Sequence, residues 1–512
     1  MRRFVAALAA IFFALAPCWA HVGSPDVYFQ GAAGPYHLTV TVRTPAMIPG
    51  LADVEIRSTE PGVTGISVVP LYIVGPGSKY PPPPDPLLPS KDDPQYFSGK
   101  IWLMGSGSWQ IRVQVTGSQG AGEIAVPVPA AARNTLPMQK SLGVLLFALM
   151  ALLVCAIISI LGAARREGTL EPGQTPEPNQ KRRGRFVMLG TTVVVLAILF
   201  LGNMWWNSEA LAKAVQMIYK PPSLNVSLEP GGKLLLRMDD SSWHTNRPDT
   251  VATKLIPDHD HLMHLFLIRT PQMDRFYHLH PELSGGLQPK NTNAFSIDLP
   301  QIRAGHYQVF ADIVRESGFP DTMVAEIDLP DIPGVPLTGD NSEVATHPIP
   351  NDASLSSSNT DVTEKGDIYT LSDGYRMVWE RGPIPLSANH FLWLRFRVED
   401  PQGKPPTDVE PYMGMAGHAE IVRSDLSVFA HVHPDGSVAM AALELAQKNS
   451  GLPADSSGNP SMMMAMQKPT ESISPEVSFP YGFPKPGEYR IFVQIKRAGH
   501  IETGVFDTQV TP

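Results

Sequence analysis

A histidine pattern that occurs twice constrains this chain more than any other feature. His259-Asp260-His261-Leu262-Met263-His264 is followed, after a turn, by Phe276-Tyr277-His278-Leu279-His280-Pro281. Residues 262–269 and 275–280 read as strands, and residues 270–274 between them hold the Pro and Asp of a turn. A hairpin centred near residues 271–272 sets His264 opposite His278 or His280. Opposed residues share a face, and so do residues two apart on one strand. His264, His278 and His280 are therefore expected to converge. The pattern returns as Met413-Gly414-Met415-Ala416-Gly417-His418, a turn at Ser424-Asp425, then Phe429-Ala430-His431-Val432-His433-Pro434. His418, His431 and His433 form the second triad. Each copy later closes with Gly-x-Tyr-x-x-Phe, at Gly305 to Phe310 and at Gly487 to Phe492. The chain contains an internal duplication.

The residues ahead of each triad set its chemistry. His259 and His261 stand five and three residues before His264; Met413 and Met415 stand at the same offsets before His418. Imidazole suits Cu(II), Zn or Ni, whereas thioether selects Cu(I). One all-nitrogen site and one mixed site on the same chain are what handling copper in both oxidation states requires. Met413 and Met415 read equally well as gap-filling core residues. The segment Ser461 to Met466 is either a loop or a weak Cu(I) docking stretch. Asp258, Asp260 and Glu420 are candidates for orienting imidazoles.

Organisation follows from hydropathy and charge. Residues 1–20 have the parts of a secretory signal, with Arg2 and Arg3, an apolar core, and Cys18-Trp19-Ala20 as cleavage site. Cleavage there makes His21 a new N-terminus, whose amine and imidazole can chelate Cu(II). Residues 21–138 read as an N-terminal β-sandwich, with alternating strands at 37–43 and 109–115 and His37 as its other histidine. Residues 142–164 and 186–206 are apolar runs long enough to cross a bilayer. The intervening loop, 165–185, carries Arg165, Arg166, Lys181, Arg182, Arg183 and Arg185, so the positive-inside rule makes it cytoplasmic. Neither span contains an ionisable group other than a cysteine, which favours an anchor over a pump. Residues 223–332 form the first His-rich sandwich, 333–365 a linker, and 366–511 the second, His- and Met-rich one. The expected architecture is mainly β, with three immunoglobulin- or cupredoxin-like sandwiches and two transmembrane helices. The expected home is a bacterial inner membrane, crossed twice, with both terminal regions on the periplasmic side.

Composition excludes several classes. A formal charge of −9 gives no basic excess for nucleic acid. The two cysteines, Cys18 and Cys155, fall in the signal and in a span, which leaves no exported disulfide or thiolate site. No Gly-x-Ser-x-Gly, His-Glu-x-x-His, P-loop or dinucleotide fingerprint occurs. Multicopper oxidases use His-x-His pairs, but need four of them and a Cys ligand; here there are three pairs, at His259/His261, His278/His280 and His431/His433.

A His, 12 or 13 residues, His-x-His-Pro and a later Gly-x-Tyr-x-x-Phe resemble the β-sandwich modules of YtkA-like and FixH-like secreted bacterial proteins. The N-terminal domain is more distantly similar to CopC-like and YcnI-like sandwiches. These resemblances imply copper or heavy-metal handling. The expected function is therefore a membrane-anchored metal-binding protein that buffers copper or delivers it to an envelope transporter or oxidase. A mononuclear three-histidine zinc hydrolase and a metal-free envelope scaffold are the alternatives.

Overall fold

The computed structural model describes residues 25–171, 173–247, 254–284, 293–349, 367–382, 384–450 and 473–512. The signal segment, His21 and Met462 to Met466 lie outside the described residues. The chain is mainly β, with paired sheets forming sandwich-like domains and two long apolar helices.

In the N-terminal domain, a five-stranded sheet beginning with Val27–Ala33, Tyr36–Arg43 and Gly50–Ser58 faces a four-stranded sheet built on Val63–Tyr72 and Gly107–Gly117. Alternation explains the packing: Leu38, Val40 and Val42 point into the core, while His37 faces outward. Residues 80–90 make two-residue edge pairings at Asp85–Pro86 and Leu88–Pro89.

The helices run Lys140–Glu167 and Pro178–Met217, and both are apolar enough to cross a membrane. The second continues without a break through residues 208–217. The only buried residues in the pair are Gly162 and Gly184, where the two backbones come close.

Each His-rich copy is a sandwich, and its histidine hairpin forms part of one sheet. In the first copy that sheet runs Leu255–Ile256, Gly305–Arg315, His264–Thr270, Arg275–Leu279 and Ser342–Ala345, with Pro320–Leu329 also on the Gly305–Arg315 strand. In the second, Val409–Glu410, Gly487–Arg497, His418–Arg423 and Phe429–Val432 take the same order. Within the stretch read as a linker, Ser342–Ala345 hydrogen-bonds along the hairpin edge.

The two hairpin sheets are buried on both faces. Leu265, Leu267, Tyr277, Leu279, Val309 and Ala311 fill the first sandwich's own core. Phe266, Ile268, Phe276 and Phe310, on the opposite face, pack against Val422, Phe429, Phe492 and Val505 of the second copy. Two phenylalanine stacks tie the copies together: Phe310 on Phe429, and Phe276 on Phe492, each with centroids 4.2 Å apart. Phe310 and Phe492 occupy equivalent positions, as do Phe276 and Phe429. The interface therefore follows an internal two-fold relation, and such stacking adds about 0.5–1.5 kcal/mol per pair beyond area burial.

The second copy also grips the N-terminal domain. The insert after its His-x-His strand forms a helix, Met440–Ser450, and Met415, Val438, Met440 and Leu443 join the N-terminal core. Strand Val27–Ala33 pairs with the segment after His433: Gln30 N–H donates to Asp435 O at 2.9 Å, and Ser437 N–H to Tyr28 O at 2.9 Å. Gly436 is required there, since a Cβ would lie 1.9 Å from Tyr28 O and its φ is +130°.

Candidate metal centre

Hairpin register brings the histidines together. In the first copy Leu265 pairs with Leu279 and Phe266 with His278, which sets His264 opposite His280. In the second, Ala419 pairs with Val432 and Glu420 with His431, which sets His418 opposite His433. All six side chains project from the face that meets the other copy. Beyond the phenylalanine stacks, the interface is therefore lined by imidazole.

His264, His278 and His280 each offer one ring nitrogen within 4.8 Å of the others, and all three are buried. Carbonyl acceptors fix the tautomers. His264 Nε2–H donates to Asp258 O at 3.1 Å, and His278 Nδ1–H to Gln494 Oε1 at 2.8 Å across the interface. His280 Nδ1–H donates to Asn341 Oδ1 at 3.2 Å, leaving its buried Nε2 without a partner among the described residues. The remaining lone pairs, on His264 Nδ1 and His278 Nε2, face each other at 3.2 Å. Two lone pairs at that distance repel unless a cation lies between them. Nitrogens on one tetrahedral ion, at about 2.0–2.1 Å from it, stand about 3.3 Å apart. Outer-shell carbonyls that fix the ring tautomer are also what metal-bound histidines commonly show.

The second cluster is shared between copies. His259 joins His418 and His433, with one nitrogen from each within 4.8 Å of the others. Its ring centroid is 5.1 Å from His418 and 5.0 Å from His433. His433 Nδ1–H donates to Val438 O at 3.1 Å. His433 Nε2, His259 Nε2 and both His418 nitrogens are buried without partners among the described residues. The turn that carries His259 has a twin: bridges Asp258 to His261 and Tyr412 to Met415, with His259 at φ 50° and Met413 at φ 49°. Equal offsets in sequence thus mark equal turns, but His259 serves the other copy's histidines rather than its own.

His431 stands between the clusters, its Nδ1 3.6 Å from Asp312 Oδ2. His261 stacks on His280 with centroids 3.9 Å apart and reaches Asp340 at 3.5 Å. Met415 is 3% exposed in the apolar core, so its position supports packing over ligation. Met413 is half-buried in its turn. His37 is exposed and bonded to Glu60 at 2.7 Å. His306 is exposed and bonded to Asp328 at 2.8 Å.

Electrostatics keeps these rings neutral. Burial pushes His259 and His264 down to about 4, with Met413's carbonyl and Asp258 respectively opposing the shift. Burial, reinforced by neighbouring imidazoles, holds His278, His280, His418, His431 and His433 well below their usual value. A neutral imidazole is the form that ligates metal. Burial pushes Asp312 up to about 6, and burial together with Asp312's charge pushes Glu420 well up.

His244 shows what a structural buried histidine looks like in the same fold. Its Nδ1 meets Ser241 Oγ at 2.8 Å and its Nε2 meets Asp321 at 2.9 Å, and Asp321 in turn binds Arg315. Both nitrogens are used.

Asn341, Gln494 and Asp312 complete the site but were not anticipated. Asp312 and Gln494 each lie two residues beyond the Phe of Gly-x-Tyr-x-x-Phe, hence on the same face as that Phe and opposite the first histidine. That spacing was a usable signal. Asn341 lies in the stretch read as linker and carried none.

A family described as "Domain of unknown function (DUF8832)" matches residues 370–512. No curated protein matches the chain. Among solved structures, a 1.5-MDa bacterial ice-binding adhesin is similar at 7% identity, covering 90% of this chain and 91% of that one, with a TM-score of 0.14. The D1–D4 ectodomain fragment of ICAM-5 is similar at 6% identity, covering 91% and 73%, with a TM-score of 0.15.

Proposed function

We propose that this is a membrane-anchored, exported metal-binding protein that binds copper and buffers it or hands it to an envelope copper transporter or oxidase. The observation that carries this reading is the first cluster. Three buried neutral imidazoles each have one nitrogen tied to a carbonyl oxygen or otherwise committed, and two free lone pairs meet at 3.2 Å.

Topology supports the export. The N-terminal domain and the two His-rich domains belong to one compact unit, although the helices separate them in sequence. Domains in contact lie on the same side of a membrane, so the chain crosses it an even number of times. With the basic loop inside, that side is the periplasm of a cell with an inner membrane. Binding is favoured over zinc hydrolysis because His278 and His418 are 0% exposed, which gives a substrate no approach to an open coordination position.

The test is metal content of the full chain, purified in detergent after expression with copper and zinc both supplied. The full chain is needed because Met440 and Leu443 of the second copy fill the N-terminal core. Copper retained by the wild type and reduced by one equivalent in a His264, His278 and His280 to Ala variant is the expected result. Zinc retained in preference would redirect the reading to hydrolysis; absence of both metals would leave a scaffold.

A further inference from the structure

The two clusters are neighbours, and one imidazole borders both. The His431 centroid lies 5.4 Å from His264 and 5.6 Å from His278, and 5.4 Å from His418 and 4.7 Å from His433. His259, of the second cluster, lies 6.1 Å from His264 of the first.

Around His431, several polar atoms are buried without a partner. Both carboxyl oxygens of Glu420, Oδ1 of Asp312 and Nε2 of His431 have no hydrogen-bond partner among the described residues. Glu420, 0% exposed, has Oε1 at 3.8 Å from His278 Nδ1 and 4.0 Å from His431 Nε2. A buried carboxyl with no donor is costly and persists only for a reason. A reason is at hand. Ions held by neutral imidazoles bring their whole charge into the interface, and two such ions repel strongly in a dry site unless anionic groups lie nearby.

Resting on the metal-binding reading above, we infer that the two clusters form one binuclear centre: Glu420 and His431 fill the space between two ions, and Asp312 holds His431 in place. Because His259 reaches into the second cluster and Gln494 supports the first, each ion is assembled from both copies. The centre forms only when the copies are docked, and filling it locks them together.

The full-length protein in detergent, loaded with Cu(II), is measured for copper content and by electron paramagnetic resonance with spin counting. The expected result is two coppers per chain whose spectrum is broadened by spin coupling and shows a half-field transition. Glu420→Gln, nearly isosteric, and His431→Gln are each expected to weaken the second equivalent about tenfold, the scale of losing a supporting group, and to abolish the coupling. Two coppers giving only summed, isolated spectra would overturn the binuclear centre while leaving metal binding intact. Saturation at one copper, or unchanged affinity in both variants, would overturn it as well. No copper at all would overturn the underlying reading.

Discussion

The two His-rich copies share a hairpin, a register and a pair of phenylalanine stacks, and three of their differences on the shared face shape the histidine clusters. His259 in the first copy corresponds to Met413 in the second, Phe266 to Glu420, and Asp312 to Gln494. A symmetric interface of this kind would have presented two identical clusters. The substitutions instead send a histidine from the first copy into the second cluster, place one carboxyl on each side, and let Gln494 orient His278. Duplication supplied the frame, and divergence at these positions distinguished the two halves of the site.

The largest expected effect is on the whole interface at low pH. His259 and His264 fall from 6.5 to about 4 in the folded protein. Between those values the unfolded chain binds more protons, so folding stability declines as pH drops from about 6.5 to about 4. Each ring contributes about 3 kcal/mol to that decline, and five further histidines shift the same way. Three carboxyls pushed up by burial oppose it: Asp312, held near 6 against 3.8, and Asp258 and Glu420, each of which makes stability fall as pH rises through its shifted range. The histidines win by number. Denaturant unfolding of metal-free protein at pH 7 and pH 5 should show the loss, and copper should reduce it. Stability independent of pH would mean that the rings are not neutral in the fold.

The comparison can be broken at Arg490, which corresponds to Gln308. Arg490 is 0% exposed, pairs with Asp507 at 2.7 Å, and donates to Met273 O and His347 O of the first copy, each at 2.8 Å. Gln308 donates within its own sheet, to Ala325 O at 2.8 Å. Arg490→Ala strands a carboxylate and two carbonyls and should cost about 3–5 kcal/mol. Gln308→Ala should cost about 1 kcal/mol. Equal costs in chemical denaturation would show that the copies are not held together through Arg490.

Gly436 sharpens the comparison at the metal. It anchors His433 to the N-terminal domain, and no matching glycine follows His280, which leads into Pro281 and Glu282. Gly436→Ala should cost about 1–3 kcal/mol, the range for a backbone forced into a left-handed strained region. It should lower retained copper by the second equivalent only. Loss of the first equivalent instead would argue that both clusters depend on the N-terminal domain.

How much of this was legible in sequence depends on whether the determinant was periodic. The hairpins, the strand positions and the convergence of His264, His278 and His280 follow from alternation and turn residues, so they could be read directly. The exchange of His259 could not, because a turn at fixed offset reveals its shape but not which copy its tip faces. Tertiary packing decided that. Strands such as 264–270 are apolar on both faces because a second sheet covers them, a feature consistent with docking yet indistinguishable in one sequence from a deep core. Residues 333–365 looked like a linker by composition, and the short edge strand Ser342–Ala345, with Asn341 beside His280, offered no hydrophobic pattern.

The smallest expected effect separates the two methionines that sequence treated alike. Met415 lies at the offset of His261, and both readings, ligand and filler, fitted its spacing. Its side chain is 3% exposed among Val438, Met440 and Leu443, an environment that needs volume rather than a lone pair. Met415→Leu conserves that volume and should cost less than about 1.5 kcal/mol. Copper content and Cu(I) affinity should stay at wild-type values. If Cu(I) affinity instead drops while Cu(II) binding holds, the thioether is a ligand after all, and the second copy becomes the mixed nitrogen and sulfur site that its Met-Gly-Met run suggested. An unchanged profile would assign the soft-donor pattern to core packing and leave the imidazoles as the shared chemistry of both copies.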